Sequence, residues 1–309
     1  MDTCGETQLR ELFGKDAIKA ILNTLANWPK AERFAAEVCN FYEKYLHLIL
    51  GDALESSRYQ IDLQQEPLGL RRALIEIKLD TPRLVEALVH ELLHLNIRLQ
   101  GYPFGSAFTI PFEMTPYASF FSGYYPKLLN IIEHEIIIDD FLELGFNKEN
   151  FLCCVSPAPD YQRMASEAFN YSEYTKTISY SWWCLEYFRH WVSARHCTGD
   201  EAEAYAYDAL FWGSKAHPEM KETAKKIQEI VDSGAIKDVK KHHCYVNQLF
   251  ELIRIPLFTS WVVIRGTENS NLAAVPFVSM SHNFHNRFAL LSHLLYTKTN
   301  TYAQVHVEN

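Results

Sequence analysis

The feature that most constrains this chain is a pair of histidines set in an almost wholly apolar helical segment. The segment from Leu84 to Leu99 contains His90, Glu91 and His94 in the spacing HExxH. Residues four apart lie one above the other on a helix, so both imidazoles can converge on one ion with the glutamate beside it. The spacing therefore predicts that His90 and His94 are zinc ligands and that Glu91 lies next to the metal.

The pattern around the motif predicts a buried helix with a marked start. Thr81 suits the N-cap and Pro82 the first helical position, where a missing N–H costs nothing. Leucines at four-residue and three-residue intervals form one apolar stripe, and both histidines fall on the opposite flank. A buried imidazole needs a partner, which is either a metal or a neighbouring side chain that forms a hydrogen bond with it.

A catalytic zinc site normally takes three protein ligands, so a third must come from elsewhere in the chain. A strongly helical pattern begins after Pro126 and is predicted to end at Gly145. On its helical wheel Glu135 and Asp139 share the sector of several leucines and isoleucines. A carboxylate in an apolar face needs a cation or strong donors, and zinc held by the two histidines would be such a cation.

These considerations favour Glu135 as the third zinc ligand, with His134 and then Glu133 as alternatives. Asp139 is predicted to lie behind the ligands and to accept the outer N–H of a ligand histidine, which would fix its tautomer. The competing interpretation is a buried helix whose carboxylates are neutralised by Arg or Lys.

The motif residues resemble those of a known group of enzymes. HExxH at residues 90–94, followed on a later helix by ExxxD at residues 135–139, resembles the gluzincin type of zincin metallopeptidases. Within that group, residues 135–145 look most like the CAAX-prenyl-protease branch. The resemblance covers roughly residues 71–146. It implies zinc bound by His90, His94 and Glu135, Glu91 as the general base, and Asp139 as the support of a ligand histidine.

Two segments before the motif are predicted to be paired strands. Residues 72–79 alternate with period two at their end, and residues 59–63 are a suitable partner. In zincin folds the strand that enters just before the motif helix commonly forms the edge of the cleft, where an extended peptide pairs with it. The resemblance therefore predicts a peptide or protein substrate, and an ordinary hairpin packed on helices is the alternative.

Composition and charge exclude several classes of protein. A net charge of −9 without a dense basic run argues against nucleic acid and anionic membrane surfaces as partners. The first six residues do not form a secretory signal, and no stretch reaches the roughly eighteen apolar residues of a spanning helix. Seven cysteines without a CxxC spacing suit reduced thiols. We therefore expect a cytoplasmic protein, although export without a signal would leave the same pattern.

The whole chain is predicted to be α+β and predominantly helical. We expect a zincin-like domain at residues 1–150, with a small antiparallel or mixed sheet packed on the HExxH helix, and a helical lobe at residues 151–309. Residues 6–50 are predicted to be two helices that break near Trp28 and Pro29. An aromatic-rich connection at residues 101–126 is expected to cover either the site or the core.

The function predicted from these features is peptide-bond hydrolysis dependent on Zn²⁺. A non-catalytic binding or sensing protein with the same fold, and a helical scaffold without metal, are the alternatives. The oxyanion-stabilising residue, the cleavage specificity and the oligomeric state do not follow from the sequence.

Overall fold

A computed structural model describes residues 9–52, 54–64, 69–79, 83–109, 118–151, 159–167, 173–196, 200–255, 258–266 and 272–278. In chain order the described strands are β1 (Arg10–Phe13), β2 (Leu46–Gly51), β3 (Arg58–Gln64), β4 (Gly69–Lys78), β5 (Phe104–Thr109), β6 (Phe258–Gly266) and β7 (Leu272–Val278). The α-helices are α1 (Gly14–Leu25), α2 (Pro29–Tyr42), α3 (Leu84–Leu99), α4 (Ala118–Glu143), α5 (Tyr161–Glu167), α6 (Glu173–His196), α7 (Asp200–Ala216), α8 (Met220–Asp232) and α9 (His242–Ile253). Helices predominate, and the prediction of a mostly helical α+β protein is confirmed.

The described residues belong to two compact units that alternate along the chain. The first comprises Met1–Tyr102, Ile137–Cys153 and Val263–Val275, and the second comprises Pro103–Ile136, Cys154–Val262 and Pro276–Asn309. The sequence predicts one division near residue 150. One change of unit falls after Cys153, close to that point, and the chain also changes unit at four others.

The first unit contains a mixed sheet built around β4. β2 runs parallel to β4, with Leu46 opposite Ala73 and Gly51 opposite Lys78, and β1 adds antiparallel to β2. β3 runs antiparallel to β4, and β7 meets β4 at Gly69. The pairing of β3 with β4 confirms the two strands that the sequence predicts before the motif helix.

The prediction that the strand before the motif helix is an edge strand is wrong. Residues 73–76 of β4 pair with β2 and with β3 at once, so β4 is an interior strand there. Its buried run Ala73–Ile77 fits this position, because a strand covered on both faces is apolar without alternation. Among the described strands, the outer place beside β4 belongs to β3.

The two helices predicted at the start of the chain are confirmed, with strands on either side of them. α1 ends at Leu25 and α2 begins at Pro29, whose ring suits the first helical position. The sequence does not separate β1 and β2 from these helices. The β2 segment Leu46–Gly51 is a short apolar run, and periodicity alone does not distinguish such a run from a buried helix.

The motif helix α3 is buried over most of its length, as predicted. Ten of its sixteen residues are buried, and it packs against α2, β3 and β4. The hydroxyl of Tyr42 on α2 donates a 3.0 Å hydrogen bond to the carbonyl oxygen of Leu95 on α3. The predicted N-cap Thr81 and first helical residue Pro82 lie outside the described residues.

α4 is longer than the sequence indicates. It begins at Ala118, so Pro126 lies inside the helix rather than at its start. A proline inside a helix removes one backbone hydrogen bond, so a proline in a sequence usually indicates a helix boundary. For this reason the sequence predicts that the helix begins after Pro126. The other end is as predicted: Gly145 has a φ of 97° and closes the helix by donating its N–H to the carbonyl of Leu142.

The second unit contains the helices α5 to α9. α5 to α9 occupy the segments with helical patterns beyond residue 160, and β6 includes the strand predicted at Trp261–Arg265. β5 pairs antiparallel with β6, so part of the segment predicted as an aromatic connection is a strand.

The helix predicted at residues 284–296 and the final strand lie outside the described residues, as do residues 110–117 of the connection. Within the described part of the chain, no helix has the length and apolar character needed to cross a bilayer.

We expect Tyr42→Phe to lower the free energy of unfolding by about 1 kcal/mol, because the change removes a buried hydrogen bond and nothing else. Urea unfolding followed by circular dichroism measures the loss. Tyr45→Phe, at a half-buried tyrosine just beyond α2, is the matched control and should have a smaller effect. Equal stabilities of the two variants would show that the contact from Tyr42 to α3 contributes nothing.

Candidate metal centre

α3 brings the two motif histidines together on one face. The Nε2 atoms of His90 and His94 are 3.1 Å apart, and the two rings meet at 64° with centroids 4.9 Å apart. One helical turn separates the residues, so the regular backbone of α3 is enough to produce this approach. Without an ion, one Nε2 donates its proton to the other, and with an ion both nitrogens can point at the same atom.

His134 on α4 adds a third imidazole to the pair. A ligand nitrogen from each of His90, His94 and His134 lies within 4.8 Å of the other two. The end of α4 is held near α3 through Phe151, whose ring contacts both Phe141 and His90.

The spacing of the two motif imidazoles is compatible with a zinc ion. Zinc–nitrogen bonds of about 2.0–2.1 Å in a tetrahedron separate the ligand nitrogens by roughly 3.3 Å. The 3.1 Å between the Nε2 atoms of His90 and His94 is close to that separation. His94 is buried, whereas His90 and His134 are half-buried, so the group is in contact with solvent. Three nitrogen ligands with solvent access are the set that a catalytic zinc ion uses.

Tyr59 and Arg98 hold the ring of His94. The phenol of Tyr59 on β3 stacks on the imidazole with centroids 4.6 Å apart and planes 9° apart. Arg98, one turn beyond His94 on α3 and almost wholly buried, donates a 2.8 Å hydrogen bond from Nη2 to the hydroxyl of Tyr59. The stacking therefore fixes the plane of the His94 ring from the side of the sheet.

His90 is held from its other side by Phe151. The two rings lie 4.9 Å apart, and a backbone hydrogen bond joins Phe151 to His90. Burial lowers the pKa of His90 well below its usual value, and the neighbouring His94 lowers it further, so His90 stays neutral as a metal ligand must.

Glu91 is a buried carboxyl group next to His90 in the chain. Only 7% of its surface is exposed, although its neighbours on α3 are mostly leucine and valine. A carboxylate in such surroundings is desolvated, which strengthens its interaction with any nearby proton or cation. The position of Glu91 is therefore compatible with the predicted role of general base.

The structure does not bring Glu135, the expected third ligand, to the two motif histidines. Oε1 of Glu135 lies 2.9 Å from Nε2 of His196 and 3.2 Å from Nε of Arg195, both at the end of α6. Arg195 also pairs with Asp232 of α8. The buried carboxylate of Glu135 is thus paired with the guanidinium group of Arg195, as in the competing interpretation, and it lies within hydrogen-bond distance of His196.

Asp139 also differs from expectation. The sequence predicts that Asp139 faces the core, and this prediction is wrong because its side chain is exposed. Glu133 is only 4% exposed. The buried positions in this part of α4 are taken by Ile136, Ile137, Ile138 and Phe141. Support of a ligand histidine by Asp139 stays a prediction.

The sequence analysis missed three residues of this centre. Arg98 lies four positions after His94, so the helical period predicts that both side chains lie on the same face of α3. Tyr59 falls in a predicted strand, but periodicity does not show which side chain of that strand lies over α3. Phe151 follows α4 in a segment without a periodic pattern, and no signal in the sequence identifies it.

Comparison with known proteins adds no relative: no family model matches the chain, and no curated protein or solved structure matches it. The assignment of a function therefore depends on the geometry of these residues.

We expect the metal-free protein to lose stability as the pH falls below about 6.5. The lowered pKa keeps His90 neutral in the folded chain, whereas the unfolded chain takes up a proton at this position, so acid favours unfolding. Urea unfolding in the presence of a chelator, on either side of that pH, measures the effect. His90→Gln should reduce the pH dependence, and an unchanged dependence would contradict the role of His90.

Proposed function

We propose that the protein is a zinc-dependent peptide hydrolase in which His90, His94 and His134 hold the metal and Glu91 is the general base. The observation that carries this proposal is the meeting of three imidazoles around an HExxH helix whose glutamate is buried. A scaffold without metal has no need for this grouping, because buried histidines are satisfied more simply by one hydrogen bond each.

The proposed third ligand is His134 instead of Glu135. His134 belongs to the group of three, and the carboxylate of Glu135 already has Arg195 as a cationic partner and His196 as a hydrogen-bond partner. The gluzincin resemblance therefore supports the HExxH half of the site, and the ligand on α4 differs from what it implies. A zincin-like core remains part of the proposal, supported by the packing of α3 against β3 and β4.

Zinc bound by this group supplies a Lewis acid that polarises a carbonyl group and makes water more acidic. A carboxylate oxygen of Glu91 accepts the proton of the attacking water and delivers it to the nitrogen of the leaving amine. Tyr59 and Phe151 hold the rings of His94 and His90, so the ligands need no reorganisation during the reaction. The products are a carboxylic acid and an amine.

A peptide substrate fits the position of β3. β3 is the outer strand next to β4 among the described strands, and its Tyr59 contacts the ligand His94. An extended peptide that adds to the open side of β3 would run beside the metal centre, with its backbone held by strand hydrogen bonds. A cytoplasmic location and a substrate that is peptide or protein are parts of the same proposal.

Glu91→Gln should retain one zinc per chain and lose at least about a hundredfold in hydrolysis, because the amide keeps the shape of the side chain and accepts no proton. His94→Ala should lose the zinc. Metal content by mass spectrometry and cleavage of a peptide library, with and without chelator, measure both effects. An active Glu91→Gln variant would refute the assignment, and bound zinc without any cleavage would favour a non-catalytic binding protein.

The third ligand is tested by two adjacent substitutions on α4. His134→Ala should lower zinc affinity by at least about tenfold, because it removes one of three ligands. Glu135→Gln should keep the zinc and instead destabilise the protein, because Arg195 loses its buried counter-charge. Zinc titration against a chromophoric chelator and thermal unfolding separate the two effects. Loss of zinc from Glu135→Gln with full binding by His134→Ala would restore Glu135 as the ligand.

A further inference from the structure

α7 carries two aromatic side chains on the surface of the second unit. Tyr207 is 66% exposed and Phe211 is 40% exposed, although both are large apolar rings. The rings stack on each other with centroids 6.1 Å apart and planes 15° apart. Nζ of Lys215 lies 5.2 Å from the centroid of the Phe211 ring. Adjacent exposed rings of this kind mark a surface that binds a partner.

Four of the exposed residues of α7 form a line with unlike ends. Glu203, Tyr207, Phe211 and Lys215 are all exposed and follow each other at intervals of four residues, and we call them the α7 stripe. Residues four apart form one of the ridges by which helices pack on each other. The stripe has a carboxylate at one end, two aromatic rings in the middle and an ammonium group at the other end.

We propose that two copies of this chain associate through their α7 stripes, packed antiparallel across a twofold axis. An axis midway between Tyr207 and Phe211 places Tyr207 of each copy against Phe211 of the other. The same axis places Glu203 against Lys215 of the other copy, because both pairs have the same midpoint in the sequence. A twofold interface requires this kind of self-complementarity, with residue i opposite j and j opposite i.

The charges of the stripe select antiparallel over parallel packing. Parallel helices would place like charges opposite each other at both ends of the stripe, which disfavours that arrangement. One helix face buries less surface than the roughly 1,600 Å² of a standard stable complex. The net charge of −9 on each chain also opposes association. The dimer is therefore weak and in equilibrium with the monomer, and its formation does not depend on the metal centre.

Sedimentation equilibrium of the full chain tests this association. We expect the average mass to rise towards twice that of the chain as the protein concentration approaches about 1 mM. Glu203→Lys and Lys215→Glu should each raise the dissociation constant by roughly tenfold, because each change creates two like-charge contacts per dimer. The double variant, with both charges exchanged, should recover the affinity of the original chain.

The matched controls are Glu222→Lys and Lys225→Glu on α8, which change the net charge equally at exposed positions outside the stripe and should leave the dissociation constant unchanged. Tyr207→Ser combined with Phe211→Ser should abolish the dimer, while circular dichroism shows intact helices. A monomer at every concentration would overturn the proposal and leave the stripe to another occupant. The proposal would also be overturned if the two single charge reversals left the dissociation constant unchanged. The same holds if the double variant did not recover the affinity of the original chain.

Discussion

The approach of two imidazoles within an apolar helix is the constraint on which the first unit depends. α3 is inserted between α2 and the strands β3 and β4, and a helix in that position has few ways to satisfy polar side chains. The Nε2 atoms of His90 and His94 lie 3.1 Å apart, so each imidazole is a polar partner of the other. The residues around them share one task, which is to keep two rings in a fixed orientation: Tyr59 stacks on one and Phe151 lies against the other. Such preorganisation is what a metal site requires before the ion arrives.

Two adjacent residues of α4, His134 and Glu135, have polar side chains that find different kinds of partner. Neighbouring positions on a helix point about 100° apart, so His134 and Glu135 meet different surroundings. The imidazole of His134 joins the pair on α3, whereas the carboxylate of Glu135 meets Arg195 and His196. A buried carboxylate needs a cation of either kind, and a guanidinium group serves as well as a metal ion. This equivalence explains why burial of Glu135 alone is a poor guide to the ligand set.

The parts of the fold that the sequence predicts are those with a local cause. The break at Pro29 follows from the geometry of one residue, the end of α4 from the positive φ of Gly145, and the buried stripe of α3 from its period. The parts it does not predict depend on partners distant in the chain. β2 is a strand because it pairs with β4, and Asp139 is exposed because isoleucines of the same helix take the buried positions. The pair His90 and His94 follows from spacing, but the third imidazole depends on how α4 is rotated, which a helical wheel drawn for α4 alone does not contain.

The identity of the third ligand has a consequence for the chemistry that the proposed centre performs. Three neutral imidazoles leave the full double charge on a zinc ion, whereas a carboxylate ligand cancels part of it. The larger charge favours a more acidic water and a stronger pull on a carbonyl oxygen. It also increases the need for a nearby anion, and the buried Glu91 lies on the motif helix beside the first ligand. In the proposed arrangement the glutamate would balance the charge of the centre and would also transfer protons. The exchange of a carboxylate for an imidazole on α4 would therefore make Glu91 more important than it is in a site with a ligand glutamate.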